Sequence, residues 1–383
     1  MTMQAMVNGT VEVGFEQVRE AFNTIAMAED GLEAQLAIYH RGERVVDLWT
    51  GPSIDADTLL GVYSVSKGAA HLVVALLVQD GILDLDERVS HYWPEFAAEG
   101  KAALTLRELL AHRSGLVGSY RGFTTRELSD ERHVAAQLAA QRPFWRPGAA
   151  FGYHALLIAA LSGEVARRVT GRSIQQIFAE RIAVPRGIDF HLGLPEALDG
   201  RFRPSEAPRP TPEQLIQLAA TATGPNSITG IAFNRHAPGN PEVWELPNIE
   251  AVRRIGPASF GGVATARAMA KMYAAAISRV DDHEPLLSPE TARDFAQVQS
   301  IGYDMVTRGH LAFAVGFHAT SEYYPALGAG TFGHSGAGGQ QAFADPRHEL
   351  AFGYVRRQLT LQCVGTEDIR RLVTAVIDSV QHR

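Results

Sequence analysis

The chain has 383 residues, 46% of them hydrophobic and 20% charged, with a formal net charge of −7 spread along its length. That length can bury a large core and points to two subdomains, while the modest acidic balance argues against a nucleic-acid partner. A single cysteine, Cys363, excludes an intramolecular disulfide and any metal site built from paired cysteines.

Residues 1–27 lack a basic start followed by a long apolar run, so no secretory leader is read there. The longest apolar stretch, residues 69–78, is too short to span a bilayer and is interrupted by His71. The expectation is therefore a cytoplasmic protein with no membrane partner.

In chain order, residues 14–27 carry Val18, Phe22 and Ile25 at helical spacing. Residues 34–40 and 44–49 are β-rich runs around Arg41-Gly42-Glu43, the pattern of a hairpin. An apolar helix follows from Ser64 to about Gln79, stopping at Asp80-Gly81. Between 83 and 200 the pattern is mostly helical, clearest at 104–110, 133–141 and 155–170. Residues 201–258 change character, because Pro204, Pro208, Pro210, Pro212, Pro225, Pro238, Pro241, Pro247 and Pro257 break every regular run. Long irregular segments of this kind tend to be lids or pocket walls. A helix at 265–278 leads to strand-like runs at 311–318, 341–344 and 350–355. The last element, 367–380, sets Ile369, Leu372, Val373, Val376, Ile377 and Val380 on one face.

Strands near both chain ends with helices between them predict an α+β fold. In it an antiparallel sheet is flanked by N- and C-terminal helices, with a mostly helical subdomain inserted. The expected division is 1–80 with 259–383 against 81–258, the latter ending in the proline-rich segment.

The chemistry begins at Tyr63-Ser64-Val65-Ser66-Lys67-Gly68. Arginine supplies nearly all the positive charge, and the only lysines are Lys67, Lys101 and Lys271. Arginine keeps its proton at any working pH, whereas a desolvated lysine can accept one. Positions i and i+3 share a helix face, so Lys67 reaches the Ser64 hydroxyl and Ser64 becomes a candidate nucleophile. The alternative is a helix cap with a solvated lysine. Tyr153, in Phe151-Gly152-Tyr153-His154-Ala155, is a second candidate: a neighbouring lysine lowers its pKa and lets it shuttle a proton. The third is Gly333-His334-Ser335-Gly336-Ala337-Gly338-Gly339, where glycines admit a substrate close to the backbone.

Together these motifs, with Leu109-Leu110-Ala111-His112-Arg113-Ser114-Gly115-Leu116, resemble the serine β-lactamase and penicillin-binding-protein superfamily. The likeness is to its class C-like branch, which includes family VIII carboxylesterases, D-aminopeptidases and acyltransferases, and it covers residues 15–380. The resemblance implies Ser64 as nucleophile, Lys67 as its base and Tyr153 as the tyrosine of Tyr-x-Asn. His334-Ser335-Gly336 would stand at the Lys-Thr-Gly strand, and the N–H groups of Ser64 and Ala337 would form the oxyanion hole. Two departures stand out: Ala155 replaces the asparagine that helps bind an amide, and His334 replaces the lysine that helps bind a carboxylate. Both shift the expectation from β-lactams towards esters.

Other signals carry less. Gly328-Ala329-Gly330-Thr331-Phe332-Gly333 fits Gly-x-Gly-x-x-Gly, but no helix-like run follows it. Neither Gly-x-Ser-x-Gly nor His-Glu-x-x-His occurs, so neither an α/β-hydrolase nor a zinc hydrolase is supported. His112 reads as a structural histidine that ties down a loop. Tyr120, Phe123, His154, Trp244 and Phe260 are candidate walls of a pocket for an apolar acyl or alcohol group. The expectation is a carboxylesterase working through acyl-Ser64 on small or medium esters, without cofactor or metal. Transfer of the acyl group to an amine or alcohol is the alternative. A β-lactamase or D-aminopeptidase ranks third, and a non-enzymatic role last.

Overall fold

A computed structural model describes residues 7–382. Of the N-terminal segment read for a leader, Met1 to Met6 lie outside the described residues. A nine-stranded antiparallel sheet runs in the order Asn8–Val11, Glu43–Thr50, Ala34–His40, Leu350–Arg356, Gln341–Asp345, Phe332–Ser335, His318–Ala319, His310–Phe313 and Ser300–Tyr303. The two chain ends meet at its centre, where Ala34–His40 pairs with Leu350–Arg356 from Ala34↔Arg356 to His40↔Leu350.

Period-two alternation decides which side chain faces which layer. Leu36, Ile38, Phe343, Phe352 and Tyr354 point to the face covered by the helices Glu16–Ala28 and Glu367–Gln381. Ala37, Tyr39, Ala342, Ala344 and Ala351 point to the other face, where the helix Ala266–Ile277 packs. Those alanines let the helix come close: a Cβ on Gly353 would run into the Ala266 carbonyl. Behind it lies the helix Ser66–Gln79, buried over nearly its whole length because Ala, Leu and Val surround its axis. Residues 81–258 contribute helices such as Glu131–Ala140 and Ile158–Thr170, and two residues of strand, Phe190–His191.

Two expectations need correction, and two elements were not read. Residues 311–318 are not one strand: His310–Phe313 and His318–Ala319 are separated by a turn closed by the Ala314 N–H on the Phe317 carbonyl, 2.8 Å. The edge strand Asn8–Val11 lacks an apolar run and was not read. Nor was the small sheet of Leu60–Tyr63, Gly262–Ala264 and Phe190–His191, whose strands are too short for periodicity to register. The proline-rich segment carries short helices, Pro212–Thr221, Ile228–Ala232, Val243–Asn248 and Glu250–Ile255, with Pro212 at a helix start, Pro247 inside a 3-10 helix and Pro225, Pro238 and Pro241 between them. No helix among the described residues is long and apolar enough to cross a membrane.

Candidate active site

The strand Leu60–Tyr63 ends in a sharp turn that presents Ser64 at the mouth of the buried helix. Tyr63 has φ 49°, a left-handed conformation unusual for a bulky residue. Strain of this size persists only where the surroundings enforce it. Here Ser66 Oγ donates to the Tyr63 carbonyl at 2.5 Å and accepts the Gly262 N–H at 2.8 Å. The Tyr63 hydroxyl is tied to the Trp244 carbonyl at 2.9 Å.

Lys67 is completely buried and has no ion-pair partner among the described residues. Its Nζ lies 3.0 Å from Ser64 Oγ, 2.7 Å from the Ala155 carbonyl oxygen and 2.7 Å from that of Ser259. Carbonyls only accept, so they engage two N–H groups. A neutral amine then has its lone pair left for the Ser64 hydroxyl. Burial favours that neutral form, pushing the Lys67 pKa well below the usual lysine range.

Tyr153 joins the pair from the other side. Its hydroxyl is turned towards Ser64, and Lys67 Nζ sits 4.9 Å from its ring centroid. The sequence expectation of a lowered phenol pKa is corrected: burial raises it, and the neutral lysine supplies no charge to offset that. Tyr153 is therefore a protonated phenol, a donor rather than a base.

The 152–155 loop is fixed by the 109–116 segment. His112 gives its carbonyl to the Gly152 N–H at 3.1 Å and its Nδ1 to the His154 N–H at 3.1 Å. His154 Nδ1 faces the Gly152 carbonyl at 2.8 Å and so carries the proton, which leaves Nε2 to accept from Ser114 Oγ at 2.5 Å. Burial holds the His154 pKa down at about 4, so the network stays neutral. Asp304 accepts the Tyr153 N–H at 2.8 Å and those of Val306 and Thr307 at 2.9 and 2.7 Å.

Opposite Ser64 runs the strand Phe332–Ser335. His334 is buried, stacked on His318 with ring centroids 4.0 Å apart and facing Tyr153 at 6.0 Å. Its Nδ1 lies 2.7 Å from the Ser335 carbonyl, and burial lowers its pKa far below the usual value. Ser335 Oγ donates to Gln341 at 2.6 Å. Gly336 must be glycine, since a Cβ there would stand 2.5 Å from the Val62 carbonyl oxygen. That contact packs Gly336 against the strand that leads into the Ser64 turn. Among the described residues, neither the Ser64 nor the Ala337 N–H donates to another protein group.

The pocket expectations fare unevenly. Phe123 and Phe260 are each only 2% exposed and packed in the core, and His154 is spent on the network above, so these three do not form a wall. Tyr120 is exposed, its ring against Phe144 at 4.4 Å. Trp244 is half-buried and reaches the site through its carbonyl. Ser66, Asp304 and Ser259 were missed by sequence reasoning. Ser66 stood inside the motif itself, whereas Ser259 acts on Lys67 through a carbonyl that any residue would supply.

A partly exposed serine backed by a buried lysine at the end of a short strand, facing a glycine-bearing strand, matches the expected superfamily, and comparison with known proteins agrees. Residues 23–373 match the family model described as Beta-lactamase. The chain belongs to the beta-lactamase family. It is 31% identical to the esterase/beta-lactamase LipL of Mycobacterium tuberculosis over 379 residues, covering 94% of this chain and 85% of that protein. The structure of EstA from Arthrobacter nitroguajacolicus Rue61a superposes with a TM-score of 0.91 at 39% identity, covering 99% of both chains. That of a family VIII carboxylesterase superposes with a TM-score of 0.86 at 32% identity, covering 97% of this chain and 98% of the other.

Proposed function

We propose that this chain is a carboxylesterase acting through a covalent acyl-Ser64 intermediate on small or medium esters. The observation that carries the reading is the Lys67 amine, held by two carbonyls with its remaining position 3.0 Å from Ser64 Oγ. Lys67 takes the Ser64 proton as Oγ attacks the ester carbonyl. The oxyanion that forms is received by the N–H groups of Ser64 and Ala337. As the C–O bond breaks, the departing alkoxide takes the Tyr153 proton, and Tyr153 is reprotonated by the Lys67 ammonium. Water then repeats the sequence on the acyl-enzyme, releasing the acid and free Ser64.

Ester rather than β-lactam chemistry is supported by His334 and Ala155. A neutral buried imidazole supplies no fixed cation for a carboxylate, and Ala155 offers its carbonyl to Lys67 with no side-chain amide for an acylamino group. The esterases among the relatives point the same way. The test is turnover of p-nitrophenyl and alkyl esters by the wild type and by Ser64→Ala, with products resolved in the presence of added amines and alcohols. Acid release that Ser64→Ala loses by at least about a thousandfold is expected. Acyl product forming on the acceptor faster than acid appears would reassign the enzyme as a transferase.

A further inference from the structure

The turn Gly256-Pro257-Ala258-Ser259-Phe260-Gly261 supplies one of the two carbonyls that hold Lys67, and it is tied down from several sides. Gly256, at φ 64°, closes the helix Glu250–Ile255 through its N–H on the Val252 carbonyl, 2.8 Å. The Phe260 N–H, which shares a peptide plane with the Ser259 carbonyl, donates to the Pro257 carbonyl at 3.0 Å. Ser259 Oγ accepts the Ala159 N–H at 2.9 Å. The Ala258 N–H, at the tip, goes to Glu131 Oε1 at 2.9 Å.

Glu131 is an odd residue for that duty. It opens the helix Glu131–Ala140 beside the capping Asp130, and its half-buried side chain reaches across to the turn. Among the described residues it has no cationic partner; Gln175 Nε2 donates to its other oxygen at 2.6 Å and also reaches the Gly256 carbonyl at 3.3 Å. Burial pushes its carboxyl up to about 7. A half-buried carboxylate without a cation carries a desolvation cost, and its two oxygens accept from the 256–261 turn and from the glutamine bracing that turn.

We propose that Glu131 is a positioning residue for the Ser64–Lys67 reaction: by holding the Ala258 N–H it fixes the Ser259 carbonyl against Lys67 Nζ. This rests on the reading of Lys67 as the base. Without that acceptor the turn relaxes, the amine loses one of its two anchors, and its lone pair no longer faces Ser64 Oγ. Small displacements at a reacting pair cost large factors in rate.

The test is the second-order rate of Ser64 labelling by a fluorophosphonate across pH, in the full chain. Glu131→Ala is expected to label at least about tenfold more slowly, with a displaced pH midpoint, because the environment of Lys67 has changed. Glu131→Gln keeps an oxygen acceptor for Ala258 and should return within about threefold of the wild type. Glu131→Asp keeps the charge but draws the acceptor back by one methylene, so it should be slower than Glu131→Gln. That order decides the matter should Glu131→Ala fail to fold. Wild-type rate and midpoint in Glu131→Ala, or Glu131→Asp outpacing Glu131→Gln, would overturn the proposal. Lys67→Met is run alongside: labelling at the wild-type rate there removes the base role of Lys67 itself, whatever Glu131 does.

Discussion

At the scale of single residues, the protein keeps a lysine where burial is hostile to its charge. Lys67 is protonated in the unfolded chain up to about pH 10.4, but its folded pKa lies well below that. Between the two values the unfolded state binds the extra proton, so stability rises with pH and the burden vanishes above the unfolded pKa. The wild type should therefore gain stability relative to Lys67→Met as pH rises towards the unfolded lysine pKa in urea unfolding. A flat difference would mean that the folded lysine keeps its proton. Tyr153 makes a sharper chemical prediction, because a protonated phenol matters most when the leaving alkoxide is poor. Tyr153→Phe should lose about 10²-fold or more on an ethyl ester and far less on the p-nitrophenyl ester of the same acid. Equal losses on both would remove its role as proton donor. The serine, the lysine and the tyrosine were legible because their side chains do the work, and the first two stand at helical spacing. The Ala155 and Ser259 carbonyls were not, since a backbone group leaves no residue-type signature.

At the scale of elements, the site is an alignment of the turn after Leu60–Tyr63 with the end of Phe332–Ser335. Gly336 sets their separation: a methyl group there would meet the Val62 carbonyl oxygen at 2.5 Å, and neither backbone can yield cheaply. Gly336→Ala should push Ala337 away from Ser64 and cut kcat/KM by about 10²-fold, with a smaller proportional loss in thermal stability. Full activity in that variant would show that the two N–H groups do not act together. The glycine-rich run was conspicuous in the sequence, but only the structure tells which glycine is pressed against which carbonyl. The 109–116 segment shows the reverse case. Its resemblance to a family pattern was legible, yet its purpose, bracing Gly152 and His154 behind Tyr153, depends on contacts between residues 40 apart in the chain.

At the scale of the whole molecule, the sheet joins the two chain ends, as the strand-like runs near both ends indicated. Short strands without a periodic signal and the split of 311–318 were lost, because their pairing is set by tertiary neighbours rather than local pattern. The proline-rich segment holds the helix Pro212–Thr221, which has no buried residue and exposes Leu215, Ile216 and Leu218. Its few tertiary contacts make it the first place to open. Limited digestion with a broad-specificity protease should cut first between residues 205 and 227, leaving the Ser64 labelling rate high in the nicked protein. A first cut elsewhere would show that this segment is packed more firmly than its exposure implies. The proposed division into 1–80 with 259–383 and 81–258 places Ser64 and Lys67 on one side of the boundary and Tyr153 on the other.

The acyl-enzyme is the point on which everything else depends, and intact-protein mass spectrometry after a brief exposure to p-nitrophenyl butyrate reads it directly. The predicted result is a mass gain of one butyryl group, located by peptide mapping on Ser64 and absent from Ser64→Ala. A stable adduct on another residue, or undiminished ester turnover by Ser64→Ala, would contradict it.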